Sequence, residues 1–309
     1  MRENAKRILV LDAGDLFFKR FSHPAPENEL EAVTEKARLI LKSFELMGYQ
    51  AIGIGDDDLS LGKKFLLELS KTSNVTFLSS NVMDEDSGKL LFQSYLIREV
   101  NGLRIGIFSL LSPDTFLASS DPRRKGLILQ DPIETARAMV KQLNSQTDLI
   151  ILLSHLGYPK DIELAQTVEG IHIIVGGHSG VSLSNPPVLK DTIVLQTSSK
   201  GMYAAMLDLT LLNNKVSFYN ITTKRSLEAN LNKFQNQLAS VQAPEAEKAQ
   251  WQKAKESIEK ALQQLEGKNY FTNIIPPLSQ RTEDHPGIKK MIDTYKSKFP
   301  ETGKSVSPK

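Results

Sequence analysis

Cysteine is absent from the 309-residue chain, which excludes disulfides, thiolate metal sites and cysteine nucleophiles together. Net charge is nearly absent as well: 38 lysines and arginines face 36 aspartates and glutamates, a formal balance of +2. Nucleic-acid binding normally needs a strongly basic patch or stripe, so that partner class is excluded. Long apolar runs are missing too. Runs such as Leu149 to Leu153 are strand-sized, far short of the ~20 residues of a membrane span. Met1 to Arg7 carries no apolar signal core, which leaves a cytosolic chain or an exported one whose signal has been removed. What is present suits a soluble α/β protein: 40% hydrophobic and 24% charged residues exclude wholesale disorder, and the length fits one large domain or two modest ones.

Residues 7 to 222 alternate strand-like and helix-like segments. Arg7 to Asp12 is an apolar run ending in Ala13-Gly14-Asp15. Glu29 to Met47 carries apolar residues at helical spacing, with Gly48 as the stop. Gln50 to Ile54 is strand-like and ends in Gly55-Asp56-Asp57-Asp58; Ser60 to Lys71 reads as a helix. Val75 to Leu78, Tyr95 to Val100 and Leu103 to Leu110 read as strands, the last two joined by an Asn101-Gly102 turn. Asp131-Pro132 opens a helix, since an Asp cap followed by Pro suits a first turn. Leu149 to Ser154 and Ile171 to Val175 are apolar strands of the kind covered on both faces, with a short helix from Asp161 to Val168 between them. Thr192 to Gln196, Ala204 to Leu212 and Lys215 to Thr222 alternate like antiparallel strands, with Asn213-Asn214 as the turn between the last two.

After Arg225 the pattern changes. Leu227, Leu231, Phe234 and Leu238 recur at helical spacing, and beyond Ala243-Pro244 so do Trp251, Ala254, Ile258, Leu262 and Leu265. This predicts an amphipathic helical hairpin in which Trp251 is a packing residue. The domain reading is therefore 1–225 for the α/β unit, 226–299 for a helical hairpin and tail, and 300–309, rich in Pro, Ser and Lys, for a disordered end.

Four strand ends carry the residues with chemistry: Asp15, Asp56 to Asp58, His155 and His178. In layered α/β proteins such ends converge on one crevice. Two of only five histidines follow the most apolar strands. Asp and neutral His are the oxygen and nitrogen ligands of Zn, Mn or Fe. Taken singly, each Gly-Asp pair is equally an ordinary strand-to-loop turn, so residue pattern alone leaves both readings open.

The order LDAGD (11–15), GDDDLSLG (55–62), LLSHLGYPKDIEL (152–164) and IVGGHSG (174–180) resembles the calcineurin-like metallophosphoesterases, in the 5'-nucleotidase branch. Members of that family read LDAGD, GNHEFD, LSHLG and GGHSH in the same order. SSNV (79–82), NGLRIGIFSL (101–110) and DPIETA (131–136) extend the resemblance over residues 7 to 222. It implies a sandwich of two mixed β-sheets flanked by helices, to which the C-terminal hairpin is added. It also implies a divalent metal on Asp15, Asp56, His155 and His178, a phosphoester or nucleotide ligand, and a periplasmic or extracellular location.

The departures are as specific as the matches. The family's second metal is held by an Asp-x-His on a first strand that has no counterpart here, and by the second His of GGHSH, which is Gly180. The resemblance thus implies one remnant metal. The family's catalytic His is Asp57 in this chain, and the Asp that orients it is Ser60. An ionised Asp57 repels a phosphoryl group instead of stabilising its developing charge. Three readings follow: a weak or inactive metal-dependent phosphoester hydrolase, a binding or assembly module that keeps the fold, and a site completed in trans by another chain. Absence of the first strand predicts an exposed sheet edge, which with the helical tail is the surface for a protein partner. Asp121-Pro122-Arg123-Arg124-Lys125 is expected to be a solvated loop, His172 structural, and His23 and His285 incidental loop residues.

Overall fold

A computed structural model of the chain describes residues 8–19, 27–198, 201–213, 215–239, 244–279 and 282–300. Arg7 of the first expected strand, His23, Asn214, Ala243 and the expected disordered end from 301 onward lie outside the described residues.

The first half of the chain runs β1 (Leu11–Asp12), α1 (Glu27–Met47), β2 (Ala51–Gly53), α2 (Gly62–Ser70), β3 (Thr76–Leu78), β4 (Val82–Asp84), β5 (Lys89–Leu90), β6 (Tyr95–Val100), β7 (Leu103–Leu111) and β8 (Leu127–Leu129). It continues with α3 (Pro132–Leu143), β9 (Leu149–His155), α4 (Tyr158–Thr167), β10 (Ile173–Gly176), β11 (Val188–Leu189) and β12 (Thr192–Gln196). The end is β13 (Met206–Thr210), β14 (Phe218–Asn220), α5 (Ile221–Leu238), α6 (Glu245–Leu265), β15 (Asn269–Ile274) and α7 (Pro286–Lys298).

Two sheets stack face to face. One is parallel, in the order β1-β2-β3; the other is mixed, in the order β11-β12-β10-β9-β7-β6. Strand periodicity sorts their side chains into layers. Along β9, Leu149, Ile151 and Leu153 join Ala51 and Leu78 in the core between the sheets. Ile150 and Leu152 point the other way, against Ala136 and Leu143 of α3 and Leu164 and Ala165 of α4. Likewise Ile52 and Phe77 leave the small sheet toward Ala37 and Leu41 of α1 and Leu66 of α2. The result is helix, sheet, sheet, helix. Strands apolar on both faces are the reason these segments read as continuous hydrophobic runs.

The C-terminal segment departs from the sequence reading. Asn213-Asn214 was expected to join two paired strands, but β13 and β14 do not pair with each other. β15 lies between them, antiparallel to β13 and parallel to β14. The cause is Asn269, a buried residue whose Oδ1 accepts the N–H groups of Leu212 and Asn213 at 2.7 and 3.0 Å, while its Nδ2 donates to Lys215 O. This holds Leu212, Asn213 and Lys215 from a strand more than fifty positions away. Phe271 of β15 is fully buried beside Phe218. The strand expected to reach Thr222 stops earlier because Asn220 caps α5, accepting the N–H of Thr222. Helices α5 and α6 pack on each other with no fully buried residue. Helix α7 lies on α1, where the Tyr295 hydroxyl donates to Ala32 O at 3.0 Å.

Candidate metal centre

The centre begins with a clamp between two turns. After β1 the chain turns at Gly14, with φ of 102°, and at Asp15, with φ of 62°. After β2 it turns at Gly55 into a single 3-10 turn, Asp57–Leu59. Asp58 joins the two turns: its carboxylate accepts N–H groups from Asp15, Leu16, Phe17 and Gly55 at 2.8 to 3.1 Å. Asp57 N–H in return donates to Asp15 Oδ1 at 2.8 Å. The approach is so close that a Cβ on Gly55 would lie 2.1 Å from Asp15 Oδ1. Burial, with the Asp15 charge beside it, pushes Asp58 up to about 7 despite the backbone donors.

His155 is the last residue of β9 and is fully buried. Its Nδ1 lies 2.8 Å from Ala13 O, so Nδ1 carries a proton and Nε2 is the nitrogen turned to the site. That Nε2 stands 3.1 Å from Asp15 Oδ2 and 3.4 Å from Asp56 Oδ1. His178 follows β10 with φ of 66°, and its Nδ1 is 3.4 Å from the same Asp56 Oδ1. Its ring meets that of His155 edge-on, with centroids 5.2 Å apart. Gly177 lies close against the histidine: a Cβ there would sit 3.1 Å from His155 Nδ1, a tight contact. Gln196 steadies this turn, donating to Gly177 O and Ser179 Oγ at 3.0 and 3.1 Å.

One ligand atom from each of Asp15, Asp56, His155 and His178 fits within a 4.8 Å cluster. Asp56 Oδ1 and His155 Nε2 are both buried without a hydrogen-bond partner. Orphaned buried acceptors are costly, and two carboxylates with two imidazoles are the donors that Zn, Mn or Fe takes. The residues therefore fit a divalent cation. Electrostatics point the same way. Burial alone would raise Asp56, but the two imidazoles and Arg123 outweigh it and hold its carboxyl well below the usual range. Burial likewise opposes charge on His155, yet Asp15 and Asp56 hold it well above its ordinary value, so the carboxylates draw positive charge to this point: a proton on Nε2 without a cation, the cation itself when one displaces that proton.

The 121–125 segment corrects the sequence reading. It is not a solvated loop: the Arg123 side chain is only 8% exposed. Asp121 caps the short Pro122–Arg124 turn and grips the guanidinium, accepting from Nε at 3.0 Å and Nη2 at 2.7 Å. Arg123 Nη1 reaches Asp56 Oδ2 at 2.6 Å and Asp57 Oδ1 at 2.7 Å. The available signal was the run of three aspartates at 56–58, since buried carboxylates need a counter-charge. His285 is also not incidental, because its side chain caps α7 by accepting from Ile288 N–H. His172 accepts the Ile150 N–H at 2.9 Å and has a structural role.

No protein-family profile matches the chain. It is 26% identical over 259 residues to a 5'-nucleotidase of Vibrio cholerae, a match covering 72% of this chain and 45% of that protein. A 5'-nucleotidase precursor from Thermus thermophilus superposes with a TM-score of 0.53 at 29% identity, covering 68% of this chain and 43% of that one. The calcineurin-like phosphoesterase YfkN of Bacillus subtilis superposes with a TM-score of 0.62 at 18% identity, over 94% of this chain and 83% of that chain. The chain spans less than half the length of the Vibrio relatives it matches. None of its helices, among the described residues, is long and apolar enough to cross a membrane.

Proposed function

Because this chain belongs to the calcineurin-like metallophosphoesterase superfamily, in its 5'-nucleotidase branch, we propose that it holds one divalent cation on Asp15, Asp56, His155 and His178 and hydrolyses phosphoesters weakly or not at all. The observation that carries the metal reading is a pair of buried atoms that make no hydrogen bond, Asp56 Oδ1 and His155 Nε2, 3.4 Å apart in a cluster with Asp15 and His178. Mn, Zn and Fe all suit the donor set. The ligand class is a phosphomonoester or nucleotide, and the location is periplasmic or extracellular, both by family.

When bound, such a cation acts as a Lewis acid toward a phosphoryl oxygen and acidifies water. The chain's own residues do less than the family's. Ala13 O fixes the tautomer and direction of His155. Asp15 and Asp56 supply negative charge to the cation. Asp57, at the family's catalytic His position, is engaged by Arg123 Nη1 at 2.7 Å and presents a carboxyl group where the family has an imidazole. Gly180, where the second His of GGHSH would stand, offers no ligand. A second reading, an assembly module, draws support from β1, which stands at the edge of its sheet among the described residues.

The deciding experiment is hydrolysis of AMP and p-nitrophenyl phosphate by Mn-loaded protein. Turnover well below ~1 per second is expected. Turnover of ~1 to 10³ per second, abolished by His155→Ala, overturns the weak-activity reading.

A further inference from the structure

We infer that Arg123 is the built-in counter-cation of this centre: it restricts Asp56 to one ligand oxygen and keeps a second metal ion off the Asp56–Asp57 pair. The inference rests on the metal reading above and deepens it.

The geometry divides Asp56 between two cations. Oδ2 accepts from Arg123 Nη1 at 2.6 Å, while Oδ1 faces His155 and His178, each at 3.4 Å. The same Nη1 serves Asp57 Oδ1 at 2.7 Å, so both hydrogens of that nitrogen are committed. Nε and Nη2 fork onto Asp121. A guanidinium held on both sides has little freedom to swing to a substrate, and it lies buried against the Phe116 ring, 5.4 Å from its centroid. Arg123 is therefore a positioning residue. Its charge is permanent, because arginine does not deprotonate in proteins.

Adjacent carboxylates without such a partner form an oxygen-rich site for a hard divalent ion. Asp56 and Asp57 are adjacent, and Arg123 stands where that ion would be drawn. A fixed positive charge this close also weakens cation binding at Asp56 Oδ1, by about tenfold or more at surface-like dielectric values. One arginine thus leaves Asp56 a single oxygen for the ion and guards the Asp56–Asp57 pair against a second one, while Gly180 leaves the family's own second site without its ligand.

The test is Mn2+ titration followed by electron paramagnetic resonance on the wild-type chain, Arg123→Gln, and the Asp57→Asn/Arg123→Gln double variant, with circular dichroism to report folding. The wild type is expected to take one Mn2+, Arg123→Gln two, and the double variant one. Arg123→Gln that takes one Mn2+ with unchanged affinity overturns the inference and leaves the metal reading standing. A second ion retained by the double variant overturns the role given to Asp57. No Mn2+ on the wild type overturns both. If Arg123→Gln unfolds in chelator, refolding by Mn2+ supports the inference, because the ion then compensates the exposed carboxylates; failure to refold in Mn2+ overturns it.

Discussion

Asp58 accepts the backbone N–H of Asp15 at 2.8 Å, and this bond ties the turn after β1 to the turn after β2. The same carboxylate accepts from Leu16, Phe17 and Gly55. Asp58→Ala removes the acceptor for four N–H groups at once, and unsatisfied buried donors cost ~1 to 3 kcal/mol each. A loss of at least ~3 kcal/mol is expected in urea denaturation. A loss within ~0.5 kcal/mol, the size of an ordinary surface change, would show that the clamp is dispensable.

Gly55→Ala places a methyl group 2.1 Å from Asp15 Oδ1 and 2.5 Å from Asp15 N. Oδ1 is held by the Asp57 N–H and Asp15 N by the Asp58 carboxylate, so neither atom can retreat without straining a bond between the two turns. Mn2+ affinity is expected to fall at least about tenfold, a change of ~1.4 kcal/mol, measured by isothermal titration calorimetry. Unchanged affinity would mean that Asp15 does not contribute its carboxylate.

Asp161 is fully buried behind the Gly176 turn, where Ser154 Oγ donates to it. Burial pushes it up to about 7. The folded chain then holds the proton more tightly than the unfolded chain. That contribution to stability is complete below the ordinary carboxylate range and is lost as pH rises toward about 7. Asp161→Asn cannot ionise, so the wild type is expected to lose stability relative to it as pH rises from about 5 to 8. The slope is at most ~1.4 kcal/mol per pH unit. Parallel stability curves in chelator would contradict this.

Phe271 belongs to a strand beyond the helical pair yet is fully buried in the core between the main sheet and the C-terminal sheet. Phe271→Ala is expected to cost roughly 3 to 5 kcal/mol, seen as a large fall in thermal midpoint. A small effect would make the C-terminal sheet an appendage.

The central strands were legible in the sequence because their residues are apolar on both faces, and their ends pointed to Asp15, Asp56 to Asp58, His155 and His178, among which the family resemblance singled out Asp56. The helical spacing of Leu227 to Leu238 and Trp251 to Leu265 marked α5 and α6 for the same reason: periodicity is a local signal. What lay hidden depends on contacts distant in sequence. β15 has the strand-like run Asn269–Ile274, but its place between β13 and β14 comes from Asn269 gripping a turn far upstream. Arg123 looked like part of a basic surface triplet, and only the fold brings it 2.6 Å from Asp56, across 67 positions of sequence. Short strands such as β4, β5 and β8 pair across loops and show no period of their own.

Metal stoichiometry bears most directly on the centre built by Asp15, Asp56, His155 and His178. Elemental analysis of the chain loaded with Mn and with Zn, run beside His178→Ala, is expected to give one metal ion per wild-type chain and a loss of that ion in the variant. Two ions per wild-type chain, or none, would contradict the single-ion centre.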